Sequence, residues 1–262
     1  MTARAPCIPM IELTLIGIGT GGATQLTLDA AKAIASADLI LIPHKGAEKD
    51  DLAGLRRSIC DTHAGAGTAI ATFDLPRRDS PDPDYRHGVD RWHDAIARVW
   101  QDTIRAHLPG LSGRVALLIW GDPSLYDSSL RIADRLTLPL TRRVIPGVTA
   151  IQALCAAHAI TLNTVGAPVV ITTGRQLRDH GWPPGADRIV VMLDGDCAFD
   201  GLDPQGVTIW WGAYLGMPEQ ILIHGPLAEA GPEIRQVRAR ARAAHGWIMD
   251  IYLMDRGGAL PG

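Results

Sequence analysis

The sequence predicts an α/β protein of two domains, the first built on a parallel sheet and the second on a mixed one. Three observations predict it. Short apolar runs alternate with helical stretches through the first half of the chain, a spacing that requires crossover connections and parallel strand pairing. After Ile160-Thr161-Leu162-Asn163 the texture changes to strands and turns with little helix, as in a mixed sheet. Finally, 262 residues with 47% apolar content are enough to fill two cores. The expected division is residues 1–160 and 165–262.

Composition excludes several classes of function. With 25 basic against 28 acidic residues and no long Lys/Arg block, nucleic acid is not an expected partner, although a small multi-carboxylate ligand needs only a local patch. The apolar run after the first ten residues is too short for a membrane span, and the start of the chain does not read as a signal peptide. Cys7, Cys60, Cys155 and Cys197 form no C-x-x-C pair, so neither a zinc knuckle nor a disulfide framework is expected. Inert thiols in a reducing cytoplasm are the expectation.

Taken in order, Leu13-Thr14-Leu15-Ile16 reads as a buried strand that breaks into Gly17-Ile18-Gly19-Thr20-Gly21-Gly22, a shape that brings bare backbone close to a ligand. Thr27 is the expected N-cap of an Ala-rich helix over 28–37, and Leu39-Ile40-Leu41-Ile42 is the second strand, stopped by Pro43. The stretch 44–57 is charged and turns helical towards its end, 68–73 is a short strand, and 76–83 is a proline-rich loop. Val89, Trp92, Ile96, Val99, Trp100 and Ile104 recur at helical spacing over 85–107. His87, His93 and His107 accompany that helix, but their separations miss the one-turn pairing of a helical metal site, so they read as face or cap residues and no metal is expected.

Val115-Ala116-Leu117-Leu118-Ile119-Trp120 is a fully apolar strand ending in Gly121-Asp122-Pro123-Ser124-Leu125-Tyr126-Asp127, before a helix to about residue 136. Arg142-Arg143-Val144-Ile145 breaks at Pro146-Gly147-Val148-Thr149-Ala150 and re-enters a helix. Three loops of one design would therefore sit at the carboxyl edge of one parallel sheet, where open α/β sheets bind ligands. Beyond the linker, strands are expected over 169–172, 189–193, 207–211, 220–223 and 247–253, with one clear helix over 229–244 whose Arg235, Arg238, Arg240 and Arg242 read as a solvated face.

Gly17, Gly19 and Gly22 satisfy G-x-G-x-x-G, the dinucleotide fingerprint. That fingerprint wants an acid at the end of the second strand, and here the strand ends in Ile42-Pro43-His44-Lys45. A nicotinamide enzyme is therefore disfavoured, and a phosphate-binding P-loop fails because no G-K-[ST] follows.

Taken together, the three loops and the later Gly216-Met217-Pro218-Glu219-Gln220 turn resemble the signature loops of the S-adenosylmethionine-dependent tetrapyrrole methylases, in order and spacing, over nearly the whole chain. The resemblance implies an N-terminal five-stranded parallel sheet, a C-terminal mixed sheet and a cofactor held in the cleft between domains. The family's cofactor contacts carry over to Thr20, to Trp120, Gly121, Asp122 and Leu125, to Thr149 and Ala150, and to Leu193 (with Met192 as the one-residue alternative) and Gly216. Most members have proline where this chain has Thr20 and glycine where it has Trp120, which implies a bulkier, differently hydrogen-bonded cofactor neighbourhood.

A narrower likeness, to the branch of the family that works in cobalamin biosynthesis, is carried by 45–52, 120–128, 171–175 and 190–195. It implies that the acceptor is precorrin-5, methylated at C1, with the C20 acetyl group leaving as acetate and S-adenosylhomocysteine as by-product. Deacetylation calls for water or hydroxide and an acid/base group near the ring, and Tyr126 and Asp127 are the candidates, with helix-start and packing roles as the alternative. Lys45, Arg131 and Arg175 are candidates to hold the substrate's carboxylates, with surface solvation as the alternative. Same-fold methylation of another precorrin, RNA or a protein histidine, and a non-catalytic S-adenosylmethionine-binding module, stay open, as does a homodimer.

Overall fold

The structure, a computed structural model, describes residues 10–44, 50–76 and 85–257. It divides into two compact units: one runs to Gly19 and from Ala23 to Val148, and the other takes Thr20–Gly22 and the chain from Thr149 onward.

The first unit is a five-stranded parallel sheet, β1 (Ile11–Gly17), β2 (Leu39–His44), β3 (Ala69–Asp74), β4 (Gly113–Ile119) and β5 (Leu140–Ile145), in the order β3-β2-β4-β1-β5. Helices α1 (Leu28–Ser36), α2 (Asp50–His63), α3 (Tyr85–His107) and α4 (Ser129–Ala133) connect them. The central strands read as unbroken apolar runs because both sheet faces are covered. Leu13, Leu15, Leu39, Leu41, Val115 and Leu117 point into a cluster closed by Ile96, Trp100 and Ile104 of α3. The alternate residues Ile16, Ile40, Ile42, Ala116 and Leu118 enter a second cluster closed by Ala30 and Ile34 of α1 and Ile59 and Cys60 of α2. Thr27 caps α1 as expected, its hydroxyl accepting from the Ala30 amide at 3.1 Å.

The second unit holds β6 (Val169–Thr173), β7 (Arg188–Met192), β8 (Thr208–Ala213), β9 (Ile221–Pro226) and β10 (Asp250–Asp255), in the order β6-β7-β10-β8-β9. Only β6 and β7 are parallel, so the sheet is mixed. Helices α5 (Ala150–Ala157), α6 (Gly174–His180) and α7 (Leu227–His245) belong to it.

Local differences from the sequence expectation have simple causes. The change of unit falls at Val148/Thr149 rather than at the 160–163 linker, because the apolar α5 packs on β8 and β10. The helix expected to reach residue 136 ends at Ala133. Helix α6 goes unseen in the sequence because it is one short element opened by a glycine; its real signal is Thr173, the N-cap that accepts from the Gln176 amide at 3.3 Å.

His93 is buried on α3 with both ring nitrogens lacking a hydrogen-bond partner, 5.6 Å centroid to centroid from Trp92. Burial, then the Arg135 and Arg131 charges, hold its pKa below the ordinary value, against the weaker pull of Asp90 and Asp94. The unfolded chain therefore binds the proton more readily than the folded one. Its contribution to stability is complete above about pH 6.5 and is lost as pH falls through the folded value. His158 of the second unit is depressed in the same sense, chiefly by burial, so wild type alone does not isolate His93. In a His93→Leu variant, the drop in Tm on acidification from neutral pH should be smaller than in wild type. Parallel curves would show that His93 does not titrate in this way.

Candidate active site

The three glycine-bearing loops follow β4, β1 and β5, three adjacent strands of one parallel sheet, and so emerge side by side at its carboxyl edge. They touch one another. A Cβ added at Gly17 would lie 2.5 Å from the Gly147 nitrogen and 2.8 Å from the Gly121 carbonyl oxygen, and one at Gly147 would meet Gly121 and Gly17 in turn. Gly19 and Gly121 exchange backbone hydrogen bonds of 3.3 and 2.8 Å in an isolated bridge. Gly17 and Gly147 are thus glycines because backbone from another loop occupies the Cβ position. Gly121 is one for a different reason: φ is +64°, and open space lies where its Cβ would be.

Asp122 fastens this junction. One carboxylate oxygen accepts from the Gly147 amide at 2.9 Å, and the other accepts from the Ser124 amide at 2.8 Å and the Ser124 hydroxyl at 2.5 Å. Burial alone would raise its pKa, but the three donated hydrogen bonds outweigh that and hold it below the ordinary carboxylate value. The stability it contributes is therefore fully present above the unfolded pKa, near 3.9, and is lost as pH falls through the lower folded value. Asp122→Ala leaves the Gly147 amide without its acceptor and should cost about 2 kcal/mol. Urea unfolding checks this; a loss within error of zero would mean that water replaces the carboxylate.

The rest of this loop carries the two predicted acid/base candidates. Tyr126 is an exposed side chain on a left-handed residue, φ +50° and 45% exposed, and desolvation raises its pKa. Asp127 accepts from the Ser129 amide at 2.6 Å and so opens α4. Arg131 folds back on the same turn, donating to the Asp127 carbonyl at 2.9 Å and the Ser128 hydroxyl at 3.2 Å. Trp120 and Leu125 are half-buried. Lys45 lies outside the described residues.

The second unit contains the remaining candidates. Thr20 is buried, and Thr149 caps α5, accepting from the Ile151 amide at 3.2 Å while its hydroxyl also bonds the Gln152 side chain. Ala150 begins that helix and is half-buried. Arg175 is exposed in the first turn of α6. Leu193 stands at φ +52° just after β7 with 67% of its surface exposed, whereas Met192 is half-buried. Gly216 (φ +79°) has its amide donated to the Gln220 side chain at 2.9 Å.

Two features of the first unit escape sequence reasoning. Arg56 reaches from α2 to donate to the Leu118 carbonyl at 3.0 Å; burial pushes its pKa down to about 10, against the pull of Asp127. His44 and Asp74, paired across β2 and β3, are joined at 3.0 Å by the histidine Nδ1. Neither has a local motif, since each partner is supplied by a different element. The thiols fit the inert expectation where they are described: burial pushes Cys60 and Cys197 up to about 11, and Cys155 is raised too; Cys7 lies outside the described residues. Among the described residues, no helix is long and apolar enough to cross a membrane.

Comparison with known proteins gives this edge a context. The chain is 43% identical over 253 residues to a precorrin-6A synthase [deacetylating] of Sinorhizobium sp., covering 95% of this chain and 96% of that one. The crystal structure of a cobalamin synthesis related protein, CobF, from Corynebacterium diphtheriae superposes with a TM-score of 0.81 at 40% identity, over 94% of this chain and 99% of that one. A uroporphyrin-III C-methyltransferase from Thermus thermophilus, complexed with S-adenosylhomocysteine, shares the fold at a TM-score of 0.58 and 18% identity, over 93% and 92% of the two chains. The model of the tetrapyrrole (corrin/porphyrin) methylases matches residues 12–231, from β1 to α7 and across all three loops, and the chain belongs to that family.

Proposed function

We propose that this protein transfers a methyl group from S-adenosylmethionine to C1 of precorrin-5 in cobalamin biosynthesis, and that one water cleaves the C20 acetyl group from the ring as acetate, giving precorrin-6A and S-adenosylhomocysteine. The observation that carries the reading is the likeness to a deacetylating precorrin-6A synthase over 95% of the chain. The chemistry of the loops fits the cofactor. In the first unit, open space beside Gly121 and the exposed ring of Tyr126 suit a ligand that is largely uncharged apart from its sulfonium and amino-acid ends; in the second unit, taken by itself, the exposed Leu193 side chain suits the same kind of ligand.

When bound, S-adenosylmethionine supplies an electrophilic methyl carbon, so for methyl transfer the protein's main tasks are alignment and exclusion of bulk water, while the acetyl group must still be reached by the one water whose oxygen leaves in acetate. Trp120, Gly121, Asp122 and Leu125 of the first unit, and Thr20, Thr149, Ala150, Leu193 and Gly216 of the second, are the proposed cofactor contacts. For Asp122 the proposed contact is through its backbone, since both its side-chain oxygens are committed to the loop junction and keep that backbone in place. Tyr126 holds a proton that it can donate at the acetyl carbonyl, and Asp127 fixes the turn that presents it. Lys45, Arg131 and Arg175 are the proposed partners of substrate carboxylates.

Incubation with S-adenosylmethionine and precorrin-5 should give one more ring methyl and one equivalent of free acetate. A product lacking both would refute the assignment, and methylation without acetate would leave the methylase while removing the deacetylation.

A further inference from the structure

The turn after β7 is held more firmly than its exposure requires. Asp194 is buried, and its carboxylate takes three hydrogen bonds: from the Tyr252 hydroxyl at 2.7 Å, the Ala198 amide at 2.7 Å and the Asp196 amide at 3.1 Å. Its backbone carbonyl and that of Gly195 accept from the two terminal nitrogens of Arg238, at 2.8 and 3.0 Å. Arg238, buried on α7, is itself set by Asp250, which accepts from its Nε at 2.8 Å and from the Trp211 indole at 3.0 Å. Gly174 opens α6 without a side chain because a Cβ there would lie 2.6 Å from that of Asp194.

All of this surrounds one residue that gains nothing from it. Leu193 adopts φ +52°, which costs a non-glycine residue about 1–2 kcal/mol, and it leaves two thirds of an apolar side chain in water. A leucine that merely closed a turn would be better replaced by glycine or asparagine. Strain combined with apolar exposure and a rigid polar support is the arrangement expected of a side chain prepared for a ligand.

We infer that Arg238 and Tyr252 are positioning residues which, through the Asp194 turn, hold Leu193 ready to pack against the S-adenosyl group. This rests on the reading of the protein as an S-adenosylmethionine-dependent methylase and adds how one of its contacts is built. The sequence pattern gave Arg238 only as one of four arginines on a solvated helix, so its burial against two carbonyls is a property of the fold.

Calorimetric titration with S-adenosylhomocysteine tests it. Leu193→Ala and Tyr252→Phe should each weaken binding roughly tenfold, and the double variant should be no weaker than either single, since both remove the same contact. Arg238→Lys keeps the charge facing Asp250 but loses the fork to the two carbonyls, and should weaken binding likewise. A purely structural network would instead lower Tm and leave Kd unchanged, and additive effects in the double variant would equally overturn the inference. Amide exchange of the unmodified protein needs no variant: the Asp196 and Ala198 amides should be protected before ligand is added, and protection appearing only with ligand would overturn pre-positioning. If wild type fails to bind S-adenosylhomocysteine, the assigned function fails and takes the inference with it. If wild type binds and Leu193→Ala binds as well, the inference alone fails.

Discussion

Gly17→Ala should abolish S-adenosylhomocysteine binding and destabilise the first unit by about 3 kcal/mol, at the severe end of overpacking changes. The added methyl would sit 2.5 Å from the Gly147 nitrogen, 2.7 Å from its Cα and 2.8 Å from the Gly121 carbonyl oxygen. All three are backbone atoms, so no rotamer change relieves the contact. The loops after β4 and β5 have to separate from β1, and the Asp122 bond to the Gly147 amide goes with them. Gly54 on α2 makes a matched control, because a Cβ there meets nothing within 4 Å. Gly54→Ala should leave binding intact and raise stability by up to about 1 kcal/mol. Urea unfolding and calorimetry on the pair decide the matter; equal stability of the two variants would mean that the loop junction yields without cost.

Tyr126→Phe should slow acetate release about a hundredfold, the lower end of what a positioned acid contributes, without altering cofactor affinity. The substitution removes only the hydroxyl and keeps the ring on its left-handed residue, so the turn before α4 stays closed by Asp127 and Ser129. Desolvation raises the phenol's pKa above its ordinary value near 10, so the proton is still held throughout the neutral range and the donor role does not fade with pH there. Single-turnover assays that follow acetate and the transferred methyl separately are the measurement. Unchanged acetate release would remove Tyr126 from the chemistry and turn attention to His44, whose Nδ1 is paired with Asp74 at the same sheet edge.

In the first unit β1, β2 and β4 were legible because burial on both faces makes them nearly continuous apolar runs, whereas the edge strands β3 and β5 are mostly exposed and showed only as short runs between turn signals; the loops were legible because glycine, proline and aspartate interrupt the runs at once. The helix over Tyr85–His107 followed from its apolar period. In the second unit the strands were visible but α6 was not, since a short helix opened by glycine has no periodic signature.

What the sequence by itself determined was the fold class, the order of the loops and the family likeness, all of which depend on residues near each other in the chain. Strand order, and with it the meeting of Gly17, Gly121 and Gly147, was decided by the tertiary structure. So were the commitment of Asp122 to loop closure, the burial of Arg238 and the pairing of His44 with Asp74. The physical reason is common to them: each depends on a partner from a separate element, and a local pattern of residue types carries no record of which strands become neighbours.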